Sequence, residues 1–199
     1  MAMLKGRWQL MALALLFFVP TLAAMVLVFT NWRPAGFTNN GELVQPAEQL
    51  NPEAWEAVGQ GEVPVFKGDW LLVVPQTTAC QTDCRERLDV LNRARVALDR
   101  DIERVRLIVL QPNTRDQAVI EADDSADLLT LAAAPAVVAA LSQHDAEPMA
   151  AHIVDYRGFH VMRYAAPLDA AGLLDDLEKL LRLSKEEAER RALEGATSE

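Results

Sequence analysis

One stretch, residues 70–98, constrains the fold more than any other, because it joins an apolar strand, both cysteines and a helix. The apolar run Leu71–Val74 has the length and composition of a short buried strand. Cys80 and Cys84 follow it. Apolar residues then recur at helical spacing: Leu88, Leu91 and Leu98. Both thiols are therefore expected beside a helix N-terminus, where the helix dipole favours thiolate.

The start of this helix has two interpretations. Thr78 with Gln81 is a capping box, which places Cys80 and Cys84 one above the other on the first turn. Asp83 is the alternative cap, which leaves Cys80 in the loop and lets Cys84 open the helix. Both interpretations keep the two sulfurs near the same helix end.

The residues around this stretch predict a parallel strand pair. Val63–Phe66 is expected to be a short edge strand, because Pro64 cannot donate to a ladder. Arg104–Leu110 is a second buried strand, rich in β-branched residues. Strand, helix and strand at this spacing predict a βαβ unit with a right-handed crossover.

The C-terminal half adds helices and a hairpin. Leu128–Leu141 is rich in Ala and Leu and predicts a helix that restarts at Pro135. His152–Asp155 and Phe159–Tyr164 flank a turn and predict a β-hairpin. A last helix follows Asp169, with an apolar stripe at Leu173, Leu174, Leu177, Leu180 and Leu181. This order predicts an α/β, thioredoxin-like domain over residues 63–184, with a core that includes Leu88, Leu91, Val105, Leu107, Val109, Leu177 and Leu181.

The N-terminal residues predict a membrane anchor. The segment from Trp8 to Trp32 has no charged residue, and its 25 residues exceed the length needed to cross a bilayer as a helix. A cleaved signal peptide is the alternative, but its apolar part would be shorter. Lys5 and Arg7 precede the segment, so residues 1–7 are expected in the cytoplasm and residues 8–32 in the membrane.

The remaining segments are polar. Residues 33–62 hold several Pro and Gly residues and predict a linker, and residues 185–199 predict a charged C-terminal tail. The chain carries a net charge of −10. Because nothing in this balance neutralises phosphates, nucleic acid is not expected as a partner.

The Cys-x-x-x-Cys pair admits three chemistries. A structural disulfide is one, although bridging so short a loop adds little stability. Thiol redox chemistry is the second, with one thiol attacking and the other resolving. Cu(I) binding is the third, because two thiolates are a soft ligand pair that a histidine can complete. Zinc is disfavoured, because a closed site needs four ligands.

The cysteine stretch resembles the Sco (SenC) family. The resemblance rests on an apolar strand before Cys80-Gln-Thr-Asp-Cys84, and on the segments CRERLDVLNRARVALDRDIERVRLIVL and IVDYRGFHVMRYAAPLDAAGLLDDLEKLLRL. It implies a membrane-anchored, extracytoplasmic thioredoxin-like domain that delivers copper to cytochrome c oxidase or maintains its cysteines. It also implies Cys80 and Cys84 as Cu(I) ligands, together with one downstream histidine.

The family position of that histidine falls near Glu147 when counted back from the hairpin turn. His152 is the candidate ligand, and His144 is the alternative. The resemblance places the protein in the bacterial inner membrane, with the domain in the periplasm. An oxidase subunit or another assembly factor is the expected partner. An assembly factor is favoured over an enzyme, and the enzyme alternative is a membrane-anchored thiol-disulfide oxidoreductase. A scaffold that binds only an assembly partner is the third interpretation.

Overall fold

A computed structural model of the chain describes the following residues: 8, 11, 13, 15–22, 25–26, 39–58, 66, 68–77, 82–113, 128–144 and 147–196. Contacts divide the chain into two compact units, Met1–Thr38 and Asn39–Glu199. The second unit holds a sheet with helices on both faces.

Eight strands make up the sheet in the described residues. Their bounds are β1 (Glu42–Gln49), β2 (Glu56–Ala57), β3 (Trp70–Pro75), β4 (Val105–Pro112), β5 (Leu128–Ala133), β6 (Gln143–His144), β7 (Glu147–Val154) and β8 (Phe159–Ala165). Their order is β1-β8-β7-β3-β4-β5-β2, and β6 pairs with β7 outside this path. β3, β4 and β5 are parallel, whereas the other pairs are antiparallel.

Three helices are described in the second unit: α1 (Thr82–Val96) and α2 (Pro135–Ser142) lie between strands, and α3 (Ala170–Ala196) follows β8. Short 3-10 turns span Pro52–Ala54 and Asp99–Arg104. α1 crosses from β3 to β4 and completes the predicted βαβ unit. The Asp169 carboxylate accepts the Ala171 N–H at 3.1 Å, so it caps the first turn of α3.

The sheet separates two hydrophobic clusters, because successive side chains of a strand point to opposite faces. The first cluster packs under α1 and α3 and includes Leu72, Val74, Leu91, Leu107, Ile153, Leu173, Leu177 and Leu181. The second packs under α2 and includes Leu71, Val73, Ile108, Leu110, Leu131, Val138 and Val154. The predicted core residues are buried, with Leu88 partly buried against the first cluster. The thioredoxin-like α/β fold is confirmed.

Residues 39–58 differ from the predicted linker. They contribute β1 at one edge of the sheet, paired with β8, and β2 at the other, paired with β5. β1 is mostly exposed, so its sequence lacks the alternation by which a half-buried strand is recognised. The folded unit therefore begins at Asn39, well before the boundary expected at residue 63.

The first part of the segment predicted as a helix, Leu128–Leu141, forms a strand instead. Leu128–Ala133 is β5, parallel to β4, and Leu110 pairs with Leu131 within it. Leu and Ala favour helices by intrinsic propensity, but pairing with a buried strand overrides that preference. The helix begins at Pro135, where the sequence predicts its restart.

The structure describes only part of the N-terminal segment that is predicted to be a membrane anchor. Residues 15–22 are helical, and much of the segment from Trp8 to Trp32 lies outside the described residues. Among the residues that the structure covers, no helix combines the length and apolar character needed to cross a membrane. Within Val63–Phe66, only Phe66 is described, and it is outside any strand.

Candidate functional site

The cysteine motif lies where the chain leaves the sheet at the carboxyl end of β3. The Gln76 N–H donates to the Leu110 carbonyl oxygen at 2.9 Å, which extends the β3–β4 ladder by one bond. Gln76 is buried, and Thr77 is the last described residue before α1. The loop to the helix therefore starts from a fixed point beside β4.

Cys84 lies in the first described turn of α1 and is 2% exposed. It is disulfide-bonded. Cys80 lies outside the described residues, as do Thr78 and Gln81 of the predicted capping box. Because Thr82 and Asp83 are already helical, the alternative cap at Asp83 is not the one used. Cys84 thus lies near the N-terminus of α1, where the helix dipole favours negative charge.

Arg87 follows Cys84 by three residues on α1. Its Nε donates to the Asp83 carbonyl oxygen and its Nη2 to Gln76 Oε1, each at 3.3 Å. These two contacts hold the guanidinium between the first turn of the helix and the end of β3.

His152, the predicted histidine ligand, lies on β7 and is 1% exposed. Its Nε2 is 2.7 Å from the Leu141 carbonyl oxygen, and its Nδ1 is 2.9 Å from Nε2 of His160. A carbonyl oxygen only accepts, so Nε2 of His152 carries the hydrogen and Nδ1 accepts from His160. Both ring nitrogens are therefore occupied within the core.

The pKa of His152 is lowered to about 3, first by burial and then by the neighbouring His160. Burial also lowers the pKa of His160, which is 6% exposed. Sequence reasoning missed this pair, because the alternating pattern of the strand gives no sign that His160 has a buried partner. The signal is the hairpin register, which sets His160 opposite Val154, on the same face as His152.

The structure does not bring His152 to the cysteine helix. α1 packs on the sheet face that carries Leu91 and Ile153. His152 alternates with Ile153 along β7 and contacts Leu141 of α2, on the opposite face. A histidine at this position cannot complete a site at Cys84 without a change of fold.

His144, the alternative ligand, lies on β6 and contacts Arg163 of β8 through its Nε2. Arg163 also donates to Glu42, with Nε 2.9 Å from Oε2 and Nη2 2.6 Å from Oε1. The hydrogen bond from Arg163 lowers the pKa of Glu42. These residues line a cleft of about 490 Å³ beside the loop that enters α3. The described contact between His144 and Arg163 therefore lies at the wall of this cleft.

A buried carboxylate anchors the first residues of the folded unit. Asp176 is 2% exposed and accepts from the Asn40 N–H at 2.9 Å, the Gly41 N–H at 2.8 Å and the Tyr164 hydroxyl at 3.0 Å. Burial, with Asp176 nearby, raises the pKa of Tyr164. Sequence reasoning missed this network, although Asp176 lies at i+3 from Leu173 on the apolar stripe.

Within the described part of the chain, no three His, Cys, Asp or Glu side chains form a cluster suited to a metal ion. Cys80 lies outside this part of the chain. A site with three such ligands would therefore need at least one residue from outside the described part.

Several solved structures are similar to this chain, and among them are Sco/SenC family proteins. Copper-bound ScoI from Arabidopsis thaliana is 16% identical, with 59% of this chain and 87% of that chain covered and a TM-score of 0.47. Copper-bound ScoI from Bradyrhizobium japonicum is 18% identical, with 57% and 86% covered and a TM-score of 0.42. A SCO1/SenC family lipoprotein from Bacillus anthracis is 12% identical, with 67% and 99% covered and a TM-score of 0.44.

At these identities, the similarity does not carry function from those proteins to this chain. No curated protein matches it. The family model described as a transmembrane-like, thioredoxin-like, C-terminal domain matches residues 70–184, which is more than half of the 199 residues. The chain belongs to this transmembrane-like, thioredoxin-like family.

Proposed function

We propose that this protein is a membrane-anchored, Sco-like assembly factor for a respiratory cytochrome c oxidase. Its reactive group is the Cys80–Cys84 thiol pair. The pair takes up Cu(I) as cargo when it is reduced, and it serves copper delivery or the maintenance of thiols on the oxidase.

One observation carries this proposal: Cys84 lies in the first turn of the helix that follows a central strand, and it is disulfide-bonded. The chain has only two cysteines, so we assign Cys80 as its partner. Because a disulfide over so short a loop contributes little stability, a reversible chemical role explains its position better than a structural one.

The donor set fits Cu(I). Two thiolates are soft ligands, and a two-coordinate site needs no histidine. His152 has both ring nitrogens engaged in the core, and His144 contacts Arg163. We therefore propose a site of two sulfurs. Their thiol protons leave on binding, so the affinity for Cu(I) rises with pH.

The second candidate function is a membrane-anchored thiol-disulfide oxidoreductase. The oxidised state of Cys84 favours it. One protein thiolate attacks a partner disulfide and forms a mixed disulfide, and the second thiolate then displaces the partner. The partner gains two electrons and becomes a dithiol, while the protein becomes a disulfide.

An anaerobic Cu(I) titration of the purified full chain tests the proposal. We expect the reduced protein to bind one Cu(I) and the oxidised protein to bind none. Cys84→Ser and Cys80→Ser should each abolish tight binding, because one thiolate cannot form the two-coordinate site. A reduced parent that takes up no Cu(I) but exchanges disulfides with a dithiol would replace copper delivery with the oxidoreductase. A parent that does neither would be a scaffold.

The membrane anchor is part of the proposal. Residues 8–32 hold the protein in the bacterial inner membrane, with residues 1–7 in the cytoplasm and the folded unit in the periplasm. The charge-free stretch between Trp8 and Trp32, preceded by Lys5 and Arg7, supports this orientation. The cysteine pair would then react with a partner protein at the periplasmic face of that membrane.

A further inference from the structure

Arg163 and Glu42 form an ion pair whose two members are unequally exposed. The Arg163 side chain is 14% exposed, whereas the Glu42 side chain is 60% exposed. In the other ion pairs between described residues, the arginine side chains are at least 30% exposed: Arg93, Arg104, Arg106, Arg157, Arg182, Arg190 and Arg191. Arg163 is therefore the most sheltered arginine among these pairs, and its carboxylate partner belongs to a side chain that lies mostly in solvent.

The contact between these two side chains has the geometry of carboxylate recognition. Arg163 Nε lies 2.9 Å from Oε2 of Glu42 and Nη2 lies 2.6 Å from Oε1, so one edge of the planar guanidinium holds both oxygens. Nη2 also contacts Nε2 of His144. Because an arginine N–H only donates, Nε2 of His144 accepts. This second contact keeps the guanidinium in place when the carboxylate leaves.

The cleft beside this ion pair has room for a ligand. Its volume is about 490 Å³, which is within the range of small-molecule sites. Part of its wall is apolar and consists of consecutive residues of the loop that enters α3: Ala165, Ala166, Pro167 and Leu168. A guanidinium of fixed orientation in the same cleft as an apolar wall suits a small molecule that has a carboxylate and a short apolar part.

Glu42 can leave Arg163 at a low cost. It begins β1, an edge strand whose side chains are mostly exposed, and the pairing of this strand with β8 shifts in register between Leu43 and Glu48. An ion pair that has an exposed member contributes little to stability. The sheltered guanidinium stays charged after Glu42 leaves, so it attracts another anion. A free carboxylate can therefore exchange with the carboxylate of Glu42.

We propose that this cleft binds a small aliphatic carboxylate, whose carboxylate group replaces that of Glu42 on Arg163 and whose apolar part lies against residues 165–168. The exchange is non-covalent: Glu42 turns into solvent when the ligand binds and competes with it when the ligand leaves. This inference goes beyond the proposed function, because the cleft residues include no cysteine.

Ligand-detected NMR of the full chain in a non-ionic detergent, with butyrate as the probe, tests this site. We expect saturable binding of butyrate in the millimolar range, because the probe has few atoms and must displace Glu42. Butyramide has nearly the same shape without the charge and should not bind. Arg163→Gln should abolish the binding of butyrate. Arg163→Lys should weaken it, because an ammonium group does not hold two oxygens side by side.

Glu42→Ala provides a readout that a loss of folding cannot imitate. It removes the competing carboxylate, so butyrate should bind about fivefold more tightly than it binds the parent. Glu48→Ala is the matched control, because it removes a carboxylate from the same exposed strand at a position that does not line the cleft. This control should bind butyrate as the parent does.

Three results would overturn the proposal. Equal binding of butyrate and butyramide would show that the cleft does not recognise a carboxylate. Equal affinities of Glu42→Ala and Glu48→Ala for butyrate would show that Glu42 does not compete for the site. A parent that binds no butyrate would show that Glu42 is a permanent partner of Arg163. In each case the proposed thiol chemistry still stands, because these variants leave both cysteines unchanged.

Discussion

His152 and His160 lie side by side in the core between the sheet and α2, with 2.9 Å between Nδ1 of His152 and Nε2 of His160. His152 also donates to the Leu141 carbonyl in the last turn of α2. The pair joins two strands to a helix through neutral imidazoles. Because burial disfavours a charged imidazole at both positions, it lowers the pKa of His152 and of His160, and the stability of the fold depends on pH.

The first prediction is that the protein loses stability as the pH falls. The pKa of His152 is about 3 in the folded state and 6.5 in its ordinary state. Between these values the unfolded chain binds a proton that the folded chain excludes. The stability from His152 is therefore fully present above about pH 6.5 and declines below it, by at most about 1.4 kcal/mol per pH unit.

Thermal unfolding of the full chain in detergent, measured by tryptophan fluorescence from pH 7.5 to 4.5, checks this dependence. His152→Gln removes the titrating group and keeps hydrogen-bonding capacity, so its melting temperature should vary less with pH. His144→Ala is the control and should keep the parental slope. An unchanged slope in His152→Gln would show that other groups cause the acid sensitivity.

The central strands and helices could be predicted from the sequence, because the residues that define each of them lie close together along the chain. β3 is an apolar run, the β7–β8 hairpin surrounds Gly158 at a positive φ of 85°, and Asp169 caps α3. β1 and β2 could not be predicted, since they form through pairing with β8 and β5 and expose most of their side chains. β5 was predicted as a helix because its propensity conflicts with its tertiary pairing.

The candidate site was predicted only in part, for a related reason. The place of Cys84 follows from the local order of strand and helix. The partners of His152 and Arg87 depend on long-range packing, which spacing along the chain does not encode. Gln76 is 11 residues from Arg87, and His160 reaches His152 only through the hairpin register.

The second prediction concerns the core under α1. Leu91 is 0% exposed, so Leu91→Asp places an unpaired charge in a closed cluster. We expect a loss of about 3 kcal/mol or more in unfolding free energy. Leu193→Asp is the matched control at a 70% exposed position and should change stability by less than about 0.5 kcal/mol. Equal losses in chemical denaturation would contradict the packing of α1.

The third prediction concerns the anchor of β1. Asp176→Asn removes a charged acceptor from the Asn40 and Gly41 N–H groups and the Tyr164 hydroxyl. We expect a loss of about 2–3 kcal/mol, together with faster amide exchange in β1. Asp175→Asn, at the exposed neighbouring position, should leave exchange unchanged. If exchange in β1 is the same in both variants, Asp176 does not hold this strand.

The fourth prediction concerns topology. A reporter that is active only in the periplasm, fused after Glu199, should be active. Lys5 and Arg7 precede the charge-free segment, and their replacement by Glu should weaken the proposed orientation. Activity from a reporter that works only in the cytoplasm would contradict the proposed anchor.

The fifth prediction is that Cu(I) affinity depends on Cys84 and not on His152. The helix of Cys84 packs on one face of the sheet, whereas His152 is closed into the other by His160 and Leu141. His152→Gln should therefore bind Cu(I) within about twofold of the parent, in competition with a chelator, whereas Cys84→Ser should lose tight binding. An imidazole that supported the site would cost about 10–100-fold on removal. A loss of that size in His152→Gln, with the fold intact by circular dichroism, would mean that the histidine leaves its core position to reach the metal.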